Sequence, residues 1–128
     1  MLNLDKFLTA YIEAALFSTN DESTPSGGVP LDQNYDADDI VPDTLAVMRA
    51  DCEKFIAENT ADLETWNGPK TADEQGGYDF WMTRNGHGVG FWESEWENGD
   101  GAGKRLDAAA KKFGEFNLWA GENGKIDH

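Results

Sequence analysis

A single cysteine, Cys52, excludes any disulfide within the chain, so cross-linking is not the source of its stability. Histidine is nearly as scarce. His87 and His128 are the only two, too few with one cysteine to build a zinc cage, and no metal or other cofactor is expected. No stretch approaches the ~18 consecutive apolar residues of a membrane span. The N-terminus has no basic region followed by an apolar core and a small-residue cleavage site. A cytoplasmic location is therefore the expectation. Bases are the third scarcity: ten Lys and Arg face twenty-five Asp and Glu, a net charge of −15.

That imbalance has consequences. It repels nucleic acids and anionic membranes, whose binding rests on Lys and Arg neutralising phosphate. It suits a basic partner, and it also serves solubility or tolerance of high salt. The charge is uneven. Residues 1–66 hold fourteen acids and three bases, residues 67–128 eleven acids and seven bases. An apolar fraction of 39%, with five Trp and seven Phe, is that of a folded chain, and 128 residues make one domain.

Leu4, Phe7, Leu8, Tyr11, Ile12, Ala15 and Leu16 fall at helical spacing, which predicts a helix over 4–17 capped by Asn3. Residues 18–35 read as a long loop. A second helix starts between Asp39 and Pro42 and carries Val41, Leu45, Met48, Cys52, Phe55 and Ile56 on one stripe, with an interruption at Asn59-Thr60. Residues 67–76 read as a polar loop. Tyr78, Phe80 and Met82, then Val89 and Phe91, alternate around Asn85-Gly86-His87-Gly88, which predicts a β-hairpin of 78–83 with 89–93. Residues 94–103 read as loop. A short helix around Leu106–Phe113 closes at Gly114, a strand follows at 116–120, and Asn123-Gly124 turns the chain into Ile126. The expected fold is α+β, a small antiparallel sheet with two or three helices on one face. Leu8, Ile12, Leu45, Cys52, Phe55, Phe80 and Phe91 are the expected core.

Candidate chemistry is sparse. His87 has the right pKa range for acid–base work, but no nucleophile or anchor is marked beside it. The segment Asn98–Gly103 resembles the start of a calcium loop, yet Ala102, Leu106 and Ala109 stand where oxygen ligands are needed. Cys52 lies on the apolar stripe and reads as a core thiol. The acids Asp36, Asp38, Asp39, Asp43, Glu53, Glu58 and Glu64 gather on one helix and its lead-in. Helix-dipole complementation accounts for the first of these. As a set they also approach the roughly 7 Å phosphate repeat of a nucleic-acid strand, since one to two helical turns separate charges by about 5.4–11 Å.

The segment Tyr78-Asp79-Phe80-Trp81-Met82-Thr83-Arg84-Asn85-Gly86-His87-Gly88-Val89-Gly90-Phe91-Trp92 resembles a motif of small acidic proteins of tailed phages and conjugative elements. Gly101-Ala102-Gly103-Lys104-Arg105-Leu106, Ala109-Ala110-Lys111 and Asn123-Gly124-Lys125-Ile126 extend the similarity, over roughly residues 28–126. The resemblance implies a mobile-element accessory protein in the host cytoplasm and carries no catalytic residues with it. The leading expectation is a non-enzymatic protein that binds a basic or nucleic-acid-binding host protein through the seven acids above. It would be a DNA mimic that blocks a defence or DNA-processing enzyme. One alternative is a small enzyme or ligand-binding domain centred on Arg84, Asn85, His87 and Trp92. Another is a structural component of a phage particle.

Overall fold

Four helices carry most of the described chain in the computed structural model, which describes residues 2–21, 28–66, 68–87, 89–91, 96, 101–121 and 123–128. Helix α1 spans Leu4–Ser18. Asn3 caps it, accepting from the Lys6 amide at 3.1 Å, and Asp5 stands in the first turn where the helix dipole favours it. Its expected apolar stripe is buried from Phe7 to Leu16, with Leu4 partly so.

The expected loop after α1 contains a short ladder. Strand β1 (Asn20–Asp21) pairs antiparallel with β2 (Val29–Pro30), and two 3-10 turns follow, at 31–33 and 37–39. Helix α2 then runs Pro42–Leu63, with proline in its first turn. It breaks where expected. Asn59 has φ −131° and ψ 20°, and its side-chain amide donates to the Phe55 carbonyl at 2.9 Å. Thr60 likewise turns its hydroxyl back to the Ile56 carbonyl at 2.6 Å. Competition of this kind with the backbone ladder bends a helix.

The largest correction concerns the predicted hairpin. Residues 78–84 are the second half of helix α3, Ala72–Arg84, whose N-cap is Thr71. Residues 89–91 form no strand, and 92–93 lie outside the described residues. The predicted loop at 67–76 therefore ends at Thr71. Two features explain the misreading. Every residue from Asp79 to Arg84 is buried, so α3 has no wet face there and its sequence carries no helical period. In addition, Gly76 and Gly77, which look like a breaker, sit inside the helix where it crosses α1. A Cβ on Gly77 would collide with the Phe7 carbonyl oxygen, and one on Gly76 would lie 2.7 Å from the Phe7 ring. The glycines cost helix propensity and allow close approach of the two backbones.

Helix α4 is Ala102–Lys111, so the loop predicted through Gly103 ends earlier. Of residues 94–101, only Trp96 and Gly101 are described, and Asn98–Asp100 of the calcium-like segment lie outside them. Gly114 has φ 75°, the left-handed conformation of a helix-terminating glycine. The predicted strand at 116–120 shortens to β3 (Trp119–Ala120), paired antiparallel with β4 (Ile126–Asp127) across a turn in which Gly124 has φ 74°. Ile126 also bridges in parallel to Ile40, and its carbonyl accepts from the Val41 amide at 2.9 Å. The fold is thus mixed α and β but mostly helical. Among the described residues, two separate two-stranded ladders replace the single sheet, and the helices pack on one another.

The core is aromatic. Phe55 of α2 stacks on Phe80 of α3 with centroids 4.2 Å apart and planes at 12°. Phe91 also stacks on Phe55 at 5.6 Å, and Tyr11 meets Trp81 edge-on at 5.3 Å. Of the expected core residues, Leu45 alone is only partly buried. No helix among the described residues is long and apolar enough to cross a membrane.

Candidate binding surface

The seven acidic candidates begin at the second 3-10 turn. Asp36 caps it by accepting from the Asp38 amide at 2.9 Å, and Asp39 returns the favour, accepting from the Asp36 amide at 2.9 Å. This reciprocal capping box satisfies two backbone donors and fixes both carboxylates at the surface. The turn is separate from α2, which starts three residues later with no side-chain cap. Asp36 and Asp38 are exposed and Asp39 is half-buried.

Asp43, Glu53 and Glu58 follow on α2, and Glu64 caps its end; all four are exposed. They lie off the buried line of Thr44, Met48, Cys52 and Phe55, which explains why the sequence pattern finds them. Glu53 and Glu58 are separated by about 7.5 Å along the axis, at 1.5 Å per residue. Two bases, Arg49 and Lys54, are interleaved with them. Arg49 pairs with Asp5 of α1 at 3.2 Å, and the Lys54 ammonium lies 5.8 Å from the centre of the Phe113 ring.

The other candidate set divides. The Arg84 side chain is 3% exposed. Its Nε donates to the Gly114 carbonyl at 2.8 Å and its Nη2 to the Phe113 carbonyl at 3.1 Å. Its Nη1 donates to the Tyr11 hydroxyl and to Asp51, both at 2.9 Å. The rings of Phe80, Phe113 and Phe116 surround the guanidinium at 5.3–5.5 Å. The arginine therefore ties α1, α2 and α3 to the C-terminal end of α4, where carbonyls lack helical partners. Burial pushes the Tyr11 hydroxyl pKa well above its usual value, against the opposing pull of Arg84. Burial raises the Cys52 thiol too, with nearby Asp51 adding to it, so Cys52 stays protonated and inert.

Asn85 and His87 lie beside a cleft of ≈ 590 Å³ that also takes in Ser18, Trp81, Glu115 and Trp119. Much of its polar floor is bonded internally. Trp81 Nε1 donates to Ser18 Oγ at 2.8 Å, and Ser18 donates on to the Ala14 carbonyl at 2.7 Å. Asn85 donates to the Trp81 carbonyl at 3.0 Å and accepts from the Phe116 amide at 2.8 Å. His87 is exposed, and Trp92 lies outside the described residues.

Sequence reasoning missed several buried polar contacts. The Trp96 indole donates to Asp79 at 2.8 Å in the interior. The pairing of Asp51 with the buried Arg84 is another. At the far end Thr44, fully buried, donates to Asp127 at 3.1 Å and lies 2.6 Å from Nδ1 of His128. The combination of hydroxyl, imidazole and carboxylate resembles a catalytic set, but the hydroxyl has no access to a substrate. It holds the C-terminal ladder against the first turn of α2. No group of three or more potential metal ligands occurs among the described residues.

No family model, curated protein or solved structure matches this chain.

Proposed function

We propose that this protein is a non-enzymatic binding protein, an accessory factor of the phage or mobile-element kind. It docks a basic, nucleic-acid-binding host protein through its acidic surface. The observation that carries the reading is the outward placement of Asp36, Asp38, Asp43, Glu53, Glu58 and Glu64, all exposed. Fixed carboxylates attract a basic surface from a distance and set its orientation, as phosphates do. A host enzyme that binds DNA presents such a surface, and occupying it blocks its substrate.

The test is affinity capture from host lysate. It compares the wild type with a variant carrying Asn or Gln at Asp36, Asp38, Asp39, Asp43, Glu53, Glu58 and Glu64. The Debye length falls from about 10 Å at 0.1 M salt to about 3 Å at 1 M, so capture of a basic partner should fall steeply across that range. It should also weaken in steps as charges are removed. Identical partners and identical salt dependence for both proteins would assign the charge to solubility alone.

A ligand-binding function for the His87 cleft is the second reading, favoured by the cleft's size. Against it, Ser18, Trp81 and Asn85 already bond to neighbours, leaving few convergent groups for a ligand.

A further inference from the structure

One depression on the surface lies away from α2. A groove of ≈ 670 Å³ follows α1, walled by Asp32, Tyr35, Asp36 and Ala37 and by Lys70, Glu74 and Tyr78. Its apolar lining includes Ala10, Ala14, Leu16 and the ring of Phe17, which is 59% exposed, with Tyr35 and Tyr78 at the walls. The carboxylates of Glu13, Asp32, Asp36 and Glu74 border it against a single cation, Lys70. A second depression of ≈ 330 Å³ shares Thr9, Ala10, Glu13 and Glu74 and carries the groove on to Asp5 and Lys6.

From Phe17 to Asp5 the combined groove runs about 18 Å, at 1.5 Å per residue of α1. That is the length of a helix of about twelve residues, or three turns. The Ala10 Cβ faces Gly77 of α3 and Ala14 is buried, so Phe17, with the half-buried Tyr35 and Tyr78, supplies most of the open apolar surface. An apolar lining with carboxylates on both walls complements a helix that is apolar on one face and basic along its flanks.

We propose that this groove is the docking site for a basic amphipathic helix of the partner protein, with Phe17 packing against its apolar face. The inference rests on the proposed binding of a basic partner and supplies the place and the shape of contact. The α2 carboxylates then act at long range, and the groove makes the short-range contact.

Fluorescence anisotropy with the full chain tests this. The probe is a labelled helical peptide of about twelve residues with Leu on one face and Lys and Arg on its flanks. One control replaces Leu by Ser at the same charge, and another replaces the bases by Glu. The first peptide should bind, the Ser peptide at least about tenfold more weakly, and the Glu peptide not at all. Phe17→Ser should weaken the first peptide by about tenfold, the scale of a lost aromatic anchor. So should the combined Glu13→Gln, Asp32→Asn, Asp36→Asn and Glu74→Gln. Circular dichroism checks that this second variant folds, and Phe17→Ser alone decides the matter if it does not. Glu115→Gln, an exposed acid outside both the groove and the seven acids, should leave the peptide's affinity unchanged.

Equal binding of the Leu and Ser peptides, or no loss with Phe17→Ser, would overturn the proposal. If lysate capture depends on the α2 acids while the groove variants change nothing, the broader reading stands and the groove does not. If neither set of changes alters capture, both fall.

Discussion

Arg84 of α3 and Asp51 of α2 meet at 2.9 Å but are unequally buried, their side chains 3% and 25% exposed. The arginine has left water almost entirely, while the aspartate keeps a wet edge. Three more of the arginine's five N–H donors go to the Phe113 and Gly114 carbonyls and the Tyr11 hydroxyl. Arg84→Ala should cost about 3–5 kcal/mol, the range for removing one partner of a buried pair. Asp51→Asn keeps a polar acceptor in place and should cost less, about 1–3 kcal/mol. Urea unfolding measures both, and an arginine loss below about 1 kcal/mol would place that side chain at the surface.

Phe80 lies between Phe55, Tyr11 and Phe113, and Phe91 packs on Phe55 and Trp96. Phe80→Ala and Phe91→Ala should each cost about 3–5 kcal/mol in the same unfolding experiment.

Gly77→Ala sets two effects against each other. Alanine in place of glycine should favour a helix by up to about 1 kcal/mol. Here the new methyl meets the backbone of α1 at Phe7, which cannot swing aside as a side chain can. The clash should win, with net destabilisation. A gain in melting temperature would mean that α1 and α3 do not cross at that point.

The C-terminal ladder should respond to acid. The Asp127 carboxyl is held below its ordinary value of 3.8 by the backbone amide of His128 and then by the Thr44 hydroxyl. A depressed folded-state pKa stabilises above the unfolded value and ceases to do so as pH falls through the folded one. The ladder should thus hold at neutral pH and loosen only below 3.8. The indole NMR signal of Trp119, paired with Asp127 across the ladder, reports it. Asp127→Asn should remove the pH step, and a step that survives that change would implicate another group.

His87 is exposed, so His87→Gln should alter stability by no more than about 0.5 kcal/mol. Partner capture should be unchanged as well. Loss of an activity at unchanged stability would bring the cleft reading forward.

Where local chemistry decides, the sequence was legible: Asn3 as cap, Pro42 in a first turn, the break at Asn59, Gly114 and the Asn123-Gly124 turn. The acids of α2 were legible for the same reason, since they fall off its apolar stripe. Helix α3 was not, because period-based reading needs a wet face and Asp79–Arg84 have none. Its paired glycines signal a turn in sequence and a helix crossing in three dimensions. Arg84 was chosen as a site residue by its neighbours in the chain, whereas its partners come from positions 11, 51, 113 and 114. Nothing in a linear pattern joins those positions. The α1 groove was missed likewise, because its walls meet only after folding.

The crossing of α1 and α3 also bears on the order of events at the ribosome. Helix α1 ends at Ser18, while the helix that covers it ends at Arg84, 66 residues later. At about 5–20 residues per second, its apolar stripe waits roughly 3–13 s for its main partner. During that interval the emerged chain is the half that holds fourteen acids and three bases. Mutual repulsion between neighbouring nascent chains therefore builds up while their greasy surface is still open, so the lopsided charge protects the protein before it has a surface to recognise anything.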